Sequence, residues 1–211
     1  MRTVSAIELV EQQLASLKGT LFAQLNIAAL HSRNPIAHKW KAPYRCLQLR
    51  EVTYWRLLDL LDQSFLLHKG GHALGARILL RSAFETLAIL IYLNRQTEKV
   101  LAGAVDFLDF SKKTEALLLG SRNGGTSINA VNILTVLDGC GTKYNGIRKM
   151  YDNLSESAHP NYEGMSCGYA VIDQKADTVS FTNRWSALYG GSQPKFMMLC
   201  LKVFEEEYNT V

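Results

Sequence analysis

Apolar residues recur every three or four positions along most of the chain, which is the spacing of an amphipathic α-helix. The first such stretch covers residues 3–31; Gly19 interrupts it, and Pro35 disfavours helical structure just beyond it. The same spacing predicts further helices over residues 44–68, 72–94, 98–119, 129–137, 142–158 and 194–208. The helix at 72–94 is apolar on nearly all sides, so we expect it to be the central helix of a bundle.

One segment has a different pattern, because residues 166–182 are rich in β-branched and aromatic side chains on both sides of DQKAD. This arrangement predicts a β-hairpin. The predicted fold is therefore mainly α: an antiparallel helical bundle with a small β-hairpin before the last helix. We expect a single domain over residues 1–211, made of an N-terminal helix and loop (1–43), a bundle core (44–160), and the hairpin with the C-terminal helix (161–211).

Composition is that of an ordinary folded protein, with 47% hydrophobic and 20% charged residues. The net charge of +4 permits nucleic-acid binding without arguing for it, since no dense basic run occurs. The four cysteines fit no zinc-binding spacing, and no nucleotide-binding motif is present, so we predict neither metal nor cofactor. The N-terminal segment does not resemble a signal peptide, and no apolar run is long enough to span a bilayer, which favours a cytoplasmic protein away from membranes.

The polar stretch YDNLSESAHPN, residues 151–161, ends one of the predicted helices. Tyr151, Ser155 and His159 follow one another at intervals of four, so they lie on one face of that helix. His159 lies at the helix end, where the C-terminal carbonyl groups favour an imidazolium ion. The stretch therefore aligns a phenol, a hydroxyl and an imidazole, with Asn161 just beyond them.

The apolar central helix also carries Arg77, Arg81 and Glu85, again at intervals of four. A buried arginine must be paired, and Glu85 is the nearest local partner for Arg81. If this helix is central, the Arg81–Glu85 pair faces another helix that offers polar groups. The best candidate in the sequence is the Tyr151–Ser155–His159 stripe.

This constellation has two interpretations that the sequence leaves open. In the structural one, Arg81 and Glu85 fix the register of two helices and His159 caps carbonyl groups. In the functional one, His159 transfers protons while Arg81 binds an anion such as phosphate. The candidate catalytic residues are then His159, Arg81, Ser155 and Tyr151, and the candidate binding residues are Glu85, Arg77 and Asn161.

Two segments together resemble a group of bacterial helical-bundle proteins related to the HEPN superfamily. The segment 79–93 is similar to a central helix of the form LLRSxxExxxxLxYL, and the segment 151–160 is similar to a later helix that ends in YxxLSxxxHP. The resemblance implies an antiparallel helical bundle and a homodimer. Many HEPN proteins are metal-independent RNases of toxin–antitoxin, antiphage or RNA-processing systems, which makes RNA the implied partner.

The HEPN signature places an arginine shortly before the active-site histidine, and this sequence departs from it. The nearest arginine before His159 is Arg148, with ten residues between them. We therefore consider Arg81, on the neighbouring helix, as the cation. The pair Arg33 and His38 has the family spacing, but such a spacing is expected by chance in a chain of this composition, and a proline lies between them.

Whether the protein is an enzyme is open at this point. The alternatives are a non-catalytic helical interaction or scaffold module and a small-molecule sensor with an anion site. The catalytic hypothesis expects His159 to be exposed in a cleft near Arg81. The scaffold hypothesis expects a closed polar network with no adjoining pocket.

Overall fold

The chain folds mainly into α-helices, described over residues 4–26 and 41–210 of a computed structural model. The helices are α1 Ala6–Lys18, α2 Lys41–Lys69, α3 Ala73–Leu101, α4 Phe107–Leu119, α5 Ile133–Cys140, α6 Ile147–Ala158, α7 Trp185–Tyr189 and α8 Gln193–Tyr208. A π-helical segment, Tyr162–Cys167, follows α6. The predicted mainly helical bundle is confirmed. None of the helices in the described ranges is long and apolar enough to cross a membrane.

Helix α3 is the centre of the bundle, as its all-round apolar pattern predicts. Its apolar side chains are buried along most of its length and pack against α2, α4, α5, α6 and α8. The main hydrophobic cluster joins side chains of α1, α2, α3, α5, α6 and α8. Any polar group that α3 presents to a neighbouring helix must therefore find its partner inside the bundle or in a groove along its flank.

The β-hairpin is confirmed at the predicted place before the last helix. Strands β1 (Ala170–Asp173) and β2 (Thr178–Phe181) pair antiparallel, from Ala170 opposite Phe181 to Asp173 opposite Thr178. The carboxylate of Asp173 accepts the backbone N–H groups of Lys175 and Ala176, which shapes the turn. Arg184 Nη1 donates to the carbonyl of Ala170 at 2.8 Å and so ties the hairpin to the segment that leads into α7.

Several predicted helix boundaries are wrong. The first helix ends at Lys18 rather than near residue 31, with Gly19 as its C-cap. The later part of that predicted helix, together with the Arg33–His38 pair, lies partly or wholly outside the described residues. Helix α4 begins at Phe107 and not at residue 98, because α3 continues to Leu101 and Gly103, at φ 70°, turns the chain.

Boundaries around the site also differ. Helix α5 starts at Ile133, where Asn132 caps the backbone N–H of Leu134, rather than at residue 129. Helix α6 starts at Ile147 rather than at residue 142, because the intervening residues form turns. The end of α6 at Ala158, just before His159, agrees with the prediction.

Candidate functional site

The side of α3 that carries Arg81 meets the stripe of α6 that carries Tyr151 and Ser155. Arg81 Nε donates to Ser155 Oγ at 2.8 Å, and Arg81 Nη2 donates to the hydroxyl of Tyr151 at 2.5 Å. The guanidinium carbon also lies 4.8 Å from the centroid of the Tyr151 ring. Because the two acceptors are one helical turn apart on α6, they fix the plane of the guanidinium group.

Glu85 completes this arrangement one turn along α3. Its Oε1 lies 3.3 Å from Arg81 Nη2 and accepts a hydrogen bond of 3.1 Å from the Tyr151 hydroxyl. Tyr151 is buried, whereas the side chains of Arg81 and Glu85 are 23% and 24% exposed. The Tyr151 hydroxyl therefore accepts a hydrogen bond from Arg81 and donates one to Glu85.

The ion pair borders an open groove of about 640 Å³ between α3, α6 and the start of α5. His159 is exposed and lines the same groove as Arg81. Among the described residues, the imidazole has no hydrogen-bond partner, and Arg81 Nη1 has no protein acceptor. The groove thus offers a ligand a rigidly held guanidinium group and a free imidazole. The residues that line it are Arg81, Glu85, Arg122, Asn132, Ile133, Leu134, Tyr151, Asp152, Ser155, Glu156 and His159.

Arg77, a predicted binding residue, lies outside the groove in a buried network of its own. Its Nε donates to Ser157 Oγ at 2.8 Å, and its Nη2 donates to the Asn153 carbonyl and side-chain oxygens at 3.2 and 3.0 Å. Its guanidinium carbon lies 4.1 Å from the Tyr189 ring centroid. Burial lowers the pKa of Arg77, and the carboxylate of Glu163 opposes that shift. The placement indicates that Arg77 anchors α6 and the following segment to α3.

Asn161, the other predicted binding residue, shapes the turn after α6. Its Oδ1 accepts the backbone N–H of Gly164 at 2.9 Å, and its Nδ2 donates to Glu156 Oε2 at 2.5 Å. It is absent from the groove lining, whereas the carboxylate that it holds is part of it. Asn161 therefore acts on the groove through Glu156.

Three charged residues of the groove lining were not among the predicted site residues. Glu156 lies in the last turn of α6, three residues before His159, and its place in the polar stretch 151–161 could have pointed to it. Asp152 follows Tyr151 directly and is bonded by Arg148, with Nε–Oδ1 and Nε–Oδ2 distances of 2.9 and 3.1 Å. Arg122 comes from the glycine-rich loop after α4, and no spacing rule connects that loop with α6.

These features define a class: a helical-bundle protein with a polar groove between its central helix and a later helix. Residues 52–133 match the family described as "Family of unknown function (DUF5677)". The match covers Arg81, Glu85 and Arg122 but ends before α6, so it leaves out the side of the groove that α6 provides. No curated protein and no solved structure matches the chain. The resemblance to the HEPN superfamily therefore stays a hypothesis.

Proposed function

We propose that the groove between α3 and α6 binds a phosphodiester of RNA and cleaves it without the help of a metal ion. Arg81 would hold the phosphate, since a guanidinium group matches the geometry of phosphate oxygens. His159 would transfer a proton, the role in which imidazole is most often used. The observation that carries the proposal is that a fixed Arg81 and an unpartnered His159 line one open groove.

The surrounding residues support this assignment. Ser155 and Tyr151 accept two different N–H groups of Arg81, so the guanidinium is held in position before a ligand arrives. Prepositioned donors stabilise the charge that develops on a phosphate during cleavage more effectively than mobile ones. A purely structural network would explain these bonds equally well, but it would not require an open groove next to them.

A direct test is incubation of the purified protein with labelled single-stranded RNA in the presence of a metal chelator. We expect cleavage by the wild type and a loss of about 10²–10⁴-fold in the His159→Ala variant, the usual contribution of a general acid or base. The matched control is His72→Ala. His72 is also exposed and lies at the N-terminus of α3, where its side chain makes no capping bond, outside the groove lining.

Arg81→Lys provides a second arm of the same experiment. Lysine keeps the charge but cannot present the planar set of donors that reaches both Ser155 and Tyr151. We expect a large fall in cleavage with helical content retained in circular dichroism. Equal cleavage by the wild type, His159→Ala and His72→Ala would refute the proposal, because the activity would then not arise in this groove.

A further inference from the structure

The groove contains three carboxylates, and their surroundings differ. Glu85 faces Arg81 and accepts the Tyr151 hydroxyl, so its charge is balanced by a neighbouring cation. Asp152 is engaged by Arg148 through both oxygens. Among the described residues, Glu156 forms no ion pair, although it lines the same groove and is exposed. Glu156 is therefore the groove carboxylate whose charge is not balanced by a cation among the described residues, so it can interact with a ligand.

Glu156 is nonetheless held in place. Its Oε2 accepts a 2.5 Å hydrogen bond from Asn161 Nδ2, and Asn161 is itself fixed because its Oδ1 accepts the backbone N–H of Gly164 at 2.9 Å. The other oxygen, Oε1, has no donor in the described part of the chain. An anchored carboxylate with one free oxygen has the geometry that a proton acceptor needs.

Glu156 and His159 are three residues apart at the end of α6 and line one groove with Arg81. Cleavage of RNA by attack of its own 2′-hydroxyl requires one group that removes a proton and another that supplies one. Two titratable groups of different chemistry at one site are the usual solution to that requirement. The groove offers a carboxylate and an imidazole for these two roles.

We infer that Glu156 is the second proton-transfer residue of the groove and that Asn161 positions it; this inference rests on the proposed function. The Glu156 carboxylate takes the proton of the 2′-hydroxyl, and the 2′-oxygen forms a bond to phosphorus. The bond from phosphorus to the 5′-oxygen breaks, and the His159 imidazolium gives its proton to that oxygen. The products are a 2′,3′-cyclic phosphate and a 5′-hydroxyl, and no oxidant, reductant or further reactant is needed.

The charged groups around Glu156 come from three elements. Arg81 and Glu85 face the groove from α3, Arg122 enters from the loop after α4, and Asp152 and His159 lie in α6 and at its C-cap. Because several charged groups line the groove, the contribution of Glu156 to the pH profile of cleavage is identified by comparison of variants.

The inference is tested by the pH dependence of kcat/KM for wild type, Glu156→Gln, Asn161→Ala and Asp138→Asn. We expect a bell-shaped wild-type profile, with an acid limb from Glu156 and an alkaline limb from His159. Glu156→Gln should lose the acid limb and about 10²–10⁴-fold in rate. Asn161→Ala should lower kcat more than it changes KM.

Asp138→Asn is the control, since Asp138 is exposed, pairs with Arg148 and is not part of the groove lining. It should keep both limbs.

Binding of a 2′-O-methyl RNA, which cannot be cleaved by this route, separates chemistry from recognition. Its affinity should differ by less than about threefold between wild type and Glu156→Gln, because a proton acceptor contributes to the reaction rather than to binding. If His159→Ala is inactive but Glu156→Gln keeps the wild-type rate and both limbs, the inference about Glu156 fails and the proposed function stands. If the wild type does not cleave RNA, both fail.

Discussion

Arg81 and Tyr151 join the central helix to α6 through a 2.5 Å hydrogen bond from Nη2 to the phenolic oxygen. The same hydroxyl donates to Glu85 Oε1 at 3.1 Å, so one phenol contacts both members of an ion pair. Because the ring is buried and the ion pair is partly exposed, the phenol lies at the boundary between the hydrophobic core and the groove. The contact serves both the packing of the two helices and the orientation of the guanidinium group.

Replacement of Tyr151 by phenylalanine tests that dual role. The change keeps the ring but removes one acceptor from Arg81 and one donor from Glu85. We expect a loss of about 1.5–3 kcal/mol in the free energy of unfolding, the usual value for hydrogen bonds to charged groups. Urea denaturation followed by circular dichroism would measure it. Tyr169→Phe is the control, since Tyr169 is exposed, and a similar loss there would contradict this interpretation of Tyr151.

A larger loss of stability is expected from replacement of Arg77. It is almost completely buried, and Ser157, Asn153 and the ring of Tyr189 surround it. Its removal leaves the buried polar groups that it bonds without a donor, and each buried polar group that loses its partner typically costs about 1–3 kcal/mol. We therefore expect Arg77→Ala to unfold at a much lower urea concentration than the wild type.

The control for Arg77 is an arginine that is also bonded by its side chain but lies at the surface. Arg148 pairs with Asp152 and Asp138 at the surface, and exposed pairs contribute about 0–1 kcal/mol. Arg148→Ala should therefore lower stability only slightly. If both variants lost the same amount, burial would not be the reason for the contribution of Arg77.

Local sequence was sufficient to predict the central helix from its apolar residues, the end of α6 from Pro160, and the hairpin from its β-branched and aromatic residues. The errors occurred where local sequence is ambiguous. Helix α3 runs on to Leu101 because the residues after 94 have good helical propensity, and only the turn at Gly103 ends it. The π-helical segment Tyr162–Cys167 depends on a close contact between backbones that no propensity encodes.

The candidate site was also predicted only in part from the sequence. Spacing by four residues predicted that Tyr151 and Ser155 share a face, and the structure brings both into contact with Arg81. Arg77 has the same spacing but lies one turn earlier on α3, where it meets Ser157 rather than the groove. Residues from a loop, such as Arg122, could not be placed, because loop positions relative to helices are set by tertiary packing.

The four cysteines differ in their surroundings, which leads to a prediction about reactivity. Burial raises the pKa of the Cys46 thiol to about 11 and that of Cys140 to about 12, and it also raises the pKa of Cys200. Cys167 is half-buried. Since the thiolate is the reactive form, a disulfide reagent at pH 8 should modify one thiol quickly in the native protein.

Cys167→Ser should abolish this fast reaction, and denaturant should expose the remaining thiols in both proteins. The reaction is followed by the absorbance of the released thiol of the reagent. A second fast thiol in the native wild type, or a fast phase that survives in Cys167→Ser, would show that the buried cysteines are more accessible than the structure indicates.

Stability at alkaline pH should depend on the buried carboxylate of Glu207. It accepts the Tyr144 hydroxyl at 2.7 Å and pairs with Lys143 Nζ at 2.7 Å. The hydrogen bond to Glu207 raises the pKa of Lys143, whereas burial, followed by the bond to Glu207, raises that of Tyr144. Both pKa values are higher in the native than in the unfolded state, so the unfolded chain releases these protons first. The stability that these two raised pKa values contribute is fully present below about pH 10, and it is lost as the pH rises above that value.

Tyr144→Phe removes one of these titrations. Between pH 10 and 11.5 its free energy of unfolding should fall less steeply than that of the wild type, by up to about 1.4 kcal/mol per pH unit, the value for one proton. Urea unfolding at a series of pH values measures both slopes. Identical slopes for wild type and Tyr144→Phe would show that Tyr144 titrates alike in the native and unfolded states.

The backbone contact between Gly164 and His159 links the turn after α6 to the proposed chemistry. A Cβ atom at position 164 would overlap the carbonyl oxygen of His159, so Gly164→Ala must displace the backbone that carries the imidazole. We expect a loss of about 1–3 kcal/mol in stability, the usual cost of a forced backbone shift. Gly191→Ala is the control, because no atom lies within 4 Å of a Cβ there. If RNA cleavage occurs in the groove, Gly164→Ala should also lower the cleavage rate by more than the fraction of unfolded molecules explains, because the proton donor moves relative to Arg81.

Wild-type stability of Gly164→Ala would contradict the close contact between Gly164 and His159. An unchanged cleavage rate in the folded variant would contradict the role of this turn in placing His159.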